Sequence, residues 1–518
     1  MKFSGQGCIG LITLALLSAC GGGGGGGGPV GGGNNTPPPS NAYTPGVFQP
    51  SSTYANQCSS TTTQNHFLRS WTNELYLWYD EVPDLDPSTV PDPLDYFDQL
   101  RTDALTPSGN YKDRFHFTYD TDEWIALSQS GVSAGYGAQW MILSGVPPRE
   151  IVVAYTEPNS PASNAGLERG DVIMLVDGVD AINGNTQAIV DTLNDGVFPF
   201  DAGETHSFRI LKLSGQTVDI SMTSEEVTSD PVQNVKTIET ASGAVGYLLF
   251  NDHIATAEAE LIDAIETLDA ANITDLILDI RYNGGGYLDI ASELAYMIAG
   301  STLTAGQTFE RITFNDKHPT TNPVTGEALA PTPFHSTTQG FPGLSAGLAL
   351  PTLDLPNQRV YVITSSSTCS ASEAIINALR GVDFEVYQIG TTTCGKPYGF
   401  YPEDNCDTTY FSIQFQGDNA KGFGDYADGF VPDSTATGTD GDHVPGCEVA
   451  DDFTRPLGDE SEARLAAALA FRESNNQTCP AQSGFAPSGQ LKPSASKRVL
   501  DGYMIRSPFR ENRILRDR

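Results

Sequence analysis

Between residues 229 and 474, continuous apolar runs alternate with segments of helical periodicity. The apolar runs are TDLILDIRY, RVYVIT and FEVYQIG, and the helical patterns are EAELIDAIETLDAANI, YLDIASELAYMIAG and SEAIINALRG. A strand that is apolar along its whole length is buried on both faces, which is typical of parallel sheets covered by helices. The alternation therefore predicts an α/β core with parallel βα units.

The junction after RVYVIT concentrates small nucleophilic side chains. The stretch STCSASEAIINALRG, residues 367–381, puts Ser370 between the end of that strand and the start of a helix. Open α/β sheets bind ligands at the carboxyl ends of their strands, and the N–H of Ala371 at the helix N-terminus would face an oxyanion. Ser370 and Glu373 also fit a capping box, so a purely structural helix cap is the alternative.

A nucleophilic serine needs a base, and Lys396 follows the next predicted strand, FEVYQIG. Neighbouring parallel strands bring their carboxyl ends together, which would put Lys396 within reach of Ser370. A lysine accepts a proton only when neutral, and lowering its pKa from about 10.4 to near 7 costs roughly 4 to 5 kcal/mol. The apolar pocket that this requires is expected from Ile389, Tyr398 and Phe400. A solvated lysine in a loop is the alternative.

A glycine-rich turn lies upstream, where DIRYNGGGYLDIA puts Gly284–Gly286 between a strand and a helix. Glycines at such a turn let backbone N–H groups point outward at a helix N-terminus, where negative charge is stabilised. An oxyanion is favoured over a phosphate, because the G-x-G-x-x-G fingerprint and the P-loop lysine are both missing. A purely structural tight turn is the remaining alternative.

Residues 123–228 change to a pattern of short strands. The stretch SPASNAGLERGDVIMLVDG, from Ser160, predicts a short capped helix, a turn and a strand. This pattern resembles a PDZ domain, in which an extended peptide adds to a sheet edge while loop N–H groups hold its terminal carboxylate. The resemblance assigns the peptide-binding loop to AGYGAQW, with its candidate residues Gly135, Tyr136, Gly137 and Ala138. A β-domain that packs without binding is the alternative.

Taken together, CSASEAIINALRG, CGK and LDIRYNGGG resemble the C-terminal processing peptidases, also called tail-specific proteases. The resemblance covers roughly residues 64–474 in the order helical segment, PDZ domain, catalytic core, and it implies a multidomain α+β protein. It also implies Ser370 as the nucleophile and Lys396 as the base. The oxyanion donors carry over to Gly285 and Ala371.

The chain departs from that family's pattern around both reactive positions. Cys369 replaces an alanine before the nucleophile, and Cys394 replaces a phenylalanine before the Gly-Lys pair. The glutamine that often orients the lysine is missing, because Phe400 stands at its position. The two cysteines either bridge to each other and lock the site or pair elsewhere. Either another group orients Lys396 or turnover is weak.

The two ends of the chain have distinctive compositions. Residues 1–19 read as a signal peptide, and LSAC, which ends at Cys20, resembles the lipobox of bacterial lipoproteins. The resemblance implies acylation of Cys20, followed by a Gly- and Pro-rich tether at 20–60. A helical region is expected at 61–122. The basic segment 475–518 is expected to be a disordered, solvated tail rather than a docking segment.

The formal net charge of −36 argues against nucleic-acid binding and against adhesion to anionic lipid. No cysteine or histidine spacing makes a convincing metal site, and no cofactor is expected. Six cysteines remain after Cys8 and Cys20, and in an exported protein they allow up to three disulfides in fifteen full pairings.

These features predict a serine endopeptidase in the bacterial cell envelope, facing the periplasm from a lipid anchor, with the outer membrane favoured. Its partners would be polypeptides with flexible C-terminal segments. The alternative is a non-catalytic peptide-binding lipoprotein that keeps the fold, and a hydrolase or transferase acting on cell-wall peptide would share the same dyad. GLSAG at 343–347 and SASK at 494–497 match other serine motifs but lack the strand or fold around them. A triad through His253 or His443 has no support in the sequence.

Overall fold

The computed structural model describes residues 42–480, 503–504 and 513–516. Residues from Tyr43 onward form one unit, and Met1–Ala42 form a second unit of which only Ala42 is described. The predicted signal peptide and Cys20 therefore lie outside the described residues. Within the described part of the chain, no helix is long and apolar enough to cross a membrane.

The helices of the described residues follow the predicted patterns closely, with SEAIINALRG inside α8 and EAELIDAIETLDA inside α6. In chain order they are α1 (Thr61–Leu75), α2 (Pro93–Phe97), α3 (Thr121–Ser130), α4 (Pro161–Asn164), α5 (Gln187–Val197), α6 (Ala257–Ala270), α7 (Leu288–Thr304), α8 (Ala371–Gly381) and α9 (Ala463–Glu473).

The strands before the α/β core are β1 (Phe117–Asp120), β2 (Val132–Gly135), β3 (Ala138–Ser144), β4 (Glu150–Thr156), β5 (Val172–Val176), β6 (Val179–Asp180), β7 (Thr205–Leu211), β8 (Thr217–Thr223) and β9 (Glu225–Thr228). The later strands are β10 (Val232–Thr240), β11 (Gly243–Phe250), β12 (Asp275–Asp279), β13 (Gly286–Tyr287), β14 (Thr308–Phe314), β15 (Thr332–Pro333), β16 (Arg359–Thr364), β17 (Glu385–Gly390), β18 (Tyr398–Gly399), β19 (Glu403–Asn405), β20 (Thr408–Phe411), β21 (Phe415–Asp418), β22 (Val431–Asp433), β23 (His443–Glu448), β24 (Tyr503–Met504) and β25 (Arg513–Ile514).

The predicted parallel core is a seven-stranded sheet with the order β10-β11-β12-β16-β17-β23-β22. Every neighbouring pair in it is parallel except β10 and β11. Apolar residues of α6, α7 and α8 pack in one core cluster and those of α9 in another. Alternate residues of β12 and β16 belong to the two clusters, which explains why these strands are apolar along their whole length.

The smaller β-domain is a sheet with the order β24-β3-β4-β5-β7-β8, and β6 pairs with β5. The Ser160 side chain caps α4, and strand β5 begins at Val172, as the sequence pattern predicts. Its core includes Trp140, Ile173 and Phe208. The multidomain α+β architecture is thereby confirmed, with a helical region, a β-domain and an α/β core in that order.

The tether prediction is wrong for residues 43–60, which pack onto the helical region. Tyr54 is buried and its ring stacks on His66 of α1, with centroids 5.0 Å apart. Cys58 forms a disulfide with Cys406. A buried aromatic ring and a covalent crosslink outweigh the flexibility that the Gly- and Pro-rich composition of residues 20–60 suggested.

The expectation of a disordered tail is wrong for the residues that are described near the C-terminus. Strand β24 pairs antiparallel with β3, and β25 pairs parallel with β13. Met504 and Ile514 are buried. Basic composition suggested a solvated end, but the two short segments bury apolar side chains on strand edges that local sequence does not reveal.

Candidate active site

Ser370 lies between the end of β16 and the first residue of α8, at the carboxyl edge of the parallel sheet. Its backbone has φ 59° and ψ −111°, a combination that a non-glycine residue rarely adopts and that costs on the order of 1–3 kcal/mol. The preceding residue anchors the turn, because the Cys369 N–H donates to the Asn283 carbonyl at 3.0 Å. The Ser370 side chain is fully buried.

Lys396 follows the neighbouring parallel strand, β17, and is also fully buried. Gly395 before it has φ 82°, and a Cβ there would lie 2.3 Å from the carbonyl oxygen of Ala427, so only glycine fits. The Lys396 ammonium nitrogen lies 4.7 Å from the ring centroid of Phe115 and 4.8 Å from that of Phe400. The amine is therefore held between two aromatic rings rather than in solvent.

The prediction that Phe400 lines the apolar pocket of Lys396 is confirmed. Phe400 stands at the position where the resembled peptidases often have a glutamine. Tyr398 is buried against Trp78, with ring centroids 4.7 Å apart. Ile389 packs instead in the core cluster beneath α9, so its predicted role is wrong. Phe115 was not predicted, because it comes from the helical region and carries no local signal for a contact with the core.

The buried Glu373 carboxylate joins the two reactive positions. Its Oε2 accepts hydrogen bonds from the backbone N–H groups of Ser370 at 2.9 Å and Lys396 at 2.8 Å. Its Oε1 accepts from the Thr393 hydroxyl at 2.5 Å and from the Gly395 N–H at 2.8 Å. Burial raises the pKa of Glu373, while the donated hydrogen bonds act in the opposite direction.

The sequence suggested Glu373 only as a capping residue for α8. The structure gives it a second set of donors, from the turn before Lys396. One carboxylate therefore fixes the backbone on both sides of the cleft and brings Ser370 and Lys396 together. A glutamate three residues after Ser370 is expected to cap the helix with one oxygen. If that glutamate is buried, its second oxygen must also accept hydrogen bonds, so donors from another segment could have been expected.

The cysteines that flank the pair are bonded to each other. The Cys369–Cys394 disulfide joins the residue before Ser370 to the residue two before Lys396, with Cα atoms 5.1 Å apart. Cys447 pairs with Cys479. Cys369, Glu373 and Cys394 also have the spacing of a metal cluster, but the two sulfurs are bonded to each other and are not free ligands.

The glycine-rich turn lies directly against the Ser370 turn. The Asn283 carbonyl accepts from the Cys369 N–H and from the Ser372 hydroxyl, both at 3.0 Å. The N–H of Gly285 is directed at Asn283 Oδ1, 3.0 Å away, so an oxyanion would have to share or displace that bond. Ala371 opens α8, where the first N–H groups have no partner one turn back in the helix.

His253 lies beneath the same turn and is buried. Its Nδ1 lies 2.9 Å from Asn283 Oδ1, and because the Asn283 amide nitrogen donates to Phe250, that oxygen is the acceptor. Burial lowers the pKa of His253 to about 3, so the ring is neutral and donates from Nδ1. His443 is exposed and pairs with Asp433. Neither histidine forms a triad with Ser370.

The loop assigned to peptide binding lines a cavity of about 360 Å³ in the β-domain. Gly135, Tyr136, Gly137 and Ala138 all border it, with Val197 at the end of α5 and other residues. The Tyr136 hydroxyl donates to the Gly196 carbonyl at 3.2 Å, which ties the loop to α5. The cavity lies where β3 begins, whereas β24 covers the edge of β3 further along, at Met141 and Ile142.

Three family models match the chain in the order that the fold shows. Residues 63–119 match the peptidase S41 N-terminal domain, residues 130–196 match the PDZ domain, and residues 244–400 match peptidase family S41. The part of the α/β core that carries Ser370 and Lys396 is thus similar to peptidase family S41. The helical region is similar to the S41 N-terminal domain, and the β-domain is similar to the PDZ domain.

The proteins that this chain resembles include C-terminal processing proteases. It is 28% identical over 172 residues to the carboxyl-terminal-processing protease of Picosynechococcus sp., a match covering 33% of this chain and 40% of that protein. It is 30% identical over 175 residues to the chloroplastic carboxyl-terminal-processing peptidase 2 of Arabidopsis thaliana, covering 33% of this chain and 32% of that one. The matches thus span less than half of either relative.

A crystal structure from Bacteroides fragilis, assigned to the S41 proteases, has a similar fold. The TM-score is 0.58 at 22% sequence identity, and the superposition covers 79% of this chain and 97% of that one. At that identity the similarity concerns the fold alone. The arrangement of helical region, PDZ domain and α/β core is therefore shared over most of both chains.

Proposed function

We propose that this protein is a serine endopeptidase with a Ser370–Lys396 dyad. The observation that carries the proposal is the shared Glu373 oxygen, which accepts hydrogen bonds from the backbone N–H groups of both buried residues. The strained backbone of Ser370 and the aromatic enclosure of Lys396 support it further. A lysine deprived of water loses the hydration that favours its charged form, which suits a general base.

In this proposal, Ser370 Oγ attacks a peptide carbonyl while Lys396 Nζ takes the hydroxyl proton. Lys396 then returns that proton to the leaving amine, and water hydrolyses the acyl-enzyme by the reverse use of the same base. The N–H groups of Gly285 and Ala371 hold the tetrahedral oxyanion, and Gly285 exchanges its bond to Asn283 for that role. The neutral His253 supports Asn283 from below.

The PDZ domain captures flexible C-terminal segments of substrate polypeptides. The cavity bordered by Gly135–Ala138 would hold the terminal carboxylate, and the start of β3 would pair with the extended peptide. No charged side chain is needed at the loop, because backbone N–H groups bind a carboxylate directly. The substrate would then enter the cleft as an extended chain.

Cleavage of casein, monitored by release of labelled peptides, tests the catalytic assignment. Wild type cleaves casein, whereas Ser370→Ala and Lys396→Met each lower kcat by at least about 10³-fold. The matched control is Lys421→Met, which changes an exposed lysine that forms an ion pair with Asp383. This variant retains activity. A wild type that binds peptides without cleaving them would favour the non-catalytic alternative, for which the phenylalanine at position 400 is the supporting observation.

We also propose that Cys20 carries a lipid anchor and that the enzyme acts on envelope polypeptides from the periplasmic side, with the outer membrane favoured. The lipobox-like LSAC supports this proposal. Metabolic labelling with a clickable fatty acid would label wild type but not Cys20→Ala. Membrane fractionation then reports which membrane retains the labelled protein. Label on the Cys20→Ala variant would contradict the assignment.

A further inference from the structure

The end of the chain lies beside the glycine-rich turn. Strand β25 pairs parallel with β13, so Arg513 stands opposite Gly286, the residue after the proposed oxyanion donor Gly285. The Leu515 N–H donates to the Phe400 carbonyl at 3.3 Å. Ile514 is 4% exposed and packs in the same core cluster as Phe400, whose ring contacts Lys396. The segment thus forms a short strand on β13 and also contacts the backbone of Phe400.

The side chain of Arg516 ends in a defined pocket. Its Nε and Nη2 donate to Asp289 Oδ2 at 3.0 and 2.9 Å, and Nη2 also donates to the Gln339 carbonyl at 3.2 Å. The guanidinium carbon lies 3.7 Å from the ring centroid of Phe341. A carboxylate, a carbonyl and an aromatic face together match the planar guanidinium better than an ammonium.

The pocket is held in place by groups other than Arg516. Asp289 lies in the first turn of α7, directly after β13, and its Oδ1 is fixed by His335 Nε2 at 3.0 Å. Phe341 is buried against Tyr287, with ring centroids 4.9 Å apart. Because β13 continues from the oxyanion turn straight into Asp289, a peptide that pairs with β13 carries its side chains past this carboxylate.

A second segment of the tail covers the PDZ sheet. Tyr503 and Met504 pair with Ile142 and Met141 of β3, the strand to which a captured peptide would add. Thus β25 lies on β13 beside the glycine-rich turn, and β24 lies on β3, further along than the start of β3 where substrate is proposed to pair. A ligand attached to its own receptor acts at a high effective concentration, so even weak contacts of this kind compete well with free peptide.

We propose that Asp289 and Phe341 form a subsite for an arginine side chain of the bound polypeptide, and that the chain's own Arg516 fills it as a competing internal ligand. This inference rests on the proposed function and adds to it a substrate class, extended segments in which an arginine follows two apolar residues. It also makes the C-terminal segment a reversible self-inhibitor. Substrate binds along β13 and in the pocket of Asp289 and Phe341 by displacing residues 513–516.

Peptide binding tests the inference without any need for catalysis. Full-length Ser370→Ala protein is titrated into a fluorescein-labelled peptide ENRILRDR, the sequence of residues 511–518, and anisotropy reports binding. Adding Arg516→Gln to the protein weakens the internal ligand, so the peptide binds about tenfold more tightly. Arg209→Gln, at an exposed arginine of the PDZ domain paired with Asp219, is the matched control and leaves the affinity unchanged.

The peptide ENRILQDR, in which glutamine replaces the arginine at the position of Arg516, tests the subsite by changing the ligand. It binds the Ser370→Ala/Arg516→Gln protein about tenfold more weakly than ENRILRDR, and Asp289→Asn removes most of that difference. Equal affinity for the two peptides, or no binding of either, would overturn the inference. Because casein cleavage by wild type is measured separately, failure here is distinguishable from failure of the peptidase assignment.

Discussion

The backbone N–H groups of Ser370 and Lys396, twenty-six positions apart in sequence, donate to the same oxygen of Glu373. A buried carboxylate that accepts from both turns fixes their separation, because moving either turn breaks a bond to a desolvated charged group. Both residues are fully buried. Glu373 is therefore a positioning residue for the proposed dyad.

Glu373→Gln should lower both stability and activity. The amide keeps the shape but offers a single acceptor oxygen, so some of the N–H donors of Ser370, Gly395 and Lys396 face an NH₂ group. A buried donor left without an acceptor costs about 1–3 kcal/mol, which predicts a loss of roughly 2–5 kcal/mol in the free energy of unfolding. Chemical denaturation measures that loss.

The activity of the same variant separates positioning from mere stability. Under conditions where Glu373→Gln is still folded, we expect kcat to fall while KM for a peptide substrate changes little, because only the proposed nucleophile and base are displaced. Glu266→Gln, at an exposed position of α6, is the control. Unchanged kcat in folded Glu373→Gln would show that the carboxylate does not position the pair.

The parts of the fold and site that could be predicted from sequence are those with a local cause. Apolar runs alternating with helical patterns predicted β12, β16, β17 and the helices between them. The strands that precede Ser370 and Lys396 were predicted to be adjacent and parallel, and β16 and β17 are so; the Ser370–Lys396 dyad itself stays a prediction. The strand–loop–helix junction and the glycine-rich turn are each encoded in a short stretch of sequence, so their local structure could be predicted.

The parts that were missed depend on distant partners. Phe115 reaches Lys396 from the helical region, and no periodicity near residue 115 points to that contact. The second role of Glu373 was hidden, because three-residue spacing from a serine already has a sufficient explanation as a cap. The short strands β24 and β25 form by pairing with β3 and β13, which lie far away in sequence. The basic composition of the segment gave no sign of this pairing and suggested solvent exposure.

Removing the Cys369–Cys394 disulfide should affect catalysis as well as stability. The double variant Cys369→Ser/Cys394→Ser loses roughly 3 kcal/mol, as expected for a bridge across a loop of this length, with a sequence separation of 25. It also loses a covalent tie between the Ser370 and Lys396 turns, so kcat decreases. Denaturation and peptide cleavage measure the two effects.

The disulfide Cys447–Cys479 offers a matched control, with a similar sequence separation of 32. Its removal should cost a similar free energy and leave kcat unchanged at temperatures where the variant is folded, because it ties β23 to the segment after α9 rather than the cleft. If the two double variants lose kcat equally, the bridge beside Ser370 has no special role in the site.

Phe115→Ala should change the pH dependence of the reaction. The ring that lies 4.7 Å from Lys396 Nζ is removed, water gains access to the amine, and hydration favours its charged form. The acidic limb of the kcat/KM profile therefore moves to higher pH. Phe67→Ala, a buried residue of the helical region, is the control for lost packing and leaves the profile in place. A profile that shifts equally in both variants would exclude the specific effect.

Glu293 predicts a pH dependence of stability that is separate from catalysis. Burial, followed by the neighbouring Glu258 carboxylate, raises the pKa of Glu293 to about 10, and the Gln339 N–H donates to both residues. Since the folded state keeps a proton that the unfolded state releases near its ordinary pKa of about 4.3, stability falls as pH rises between these values. The contribution is complete below the lower value and lost above the upper one.

Glu293→Gln carries a permanent amide in place of the protonated acid. We expect its free energy of unfolding to decrease less between pH 5 and pH 9 than that of wild type, with the curves closest at the acidic end. Glu266→Gln, which changes an exposed carboxylate, should follow wild type across the range. Because Gln339 also supplies the carbonyl that binds Arg516, loss of the Glu293 proton at alkaline pH should loosen the arginine pocket as well. Parallel curves for Glu293→Gln and wild type would show that Glu293 is ionised in the folded protein.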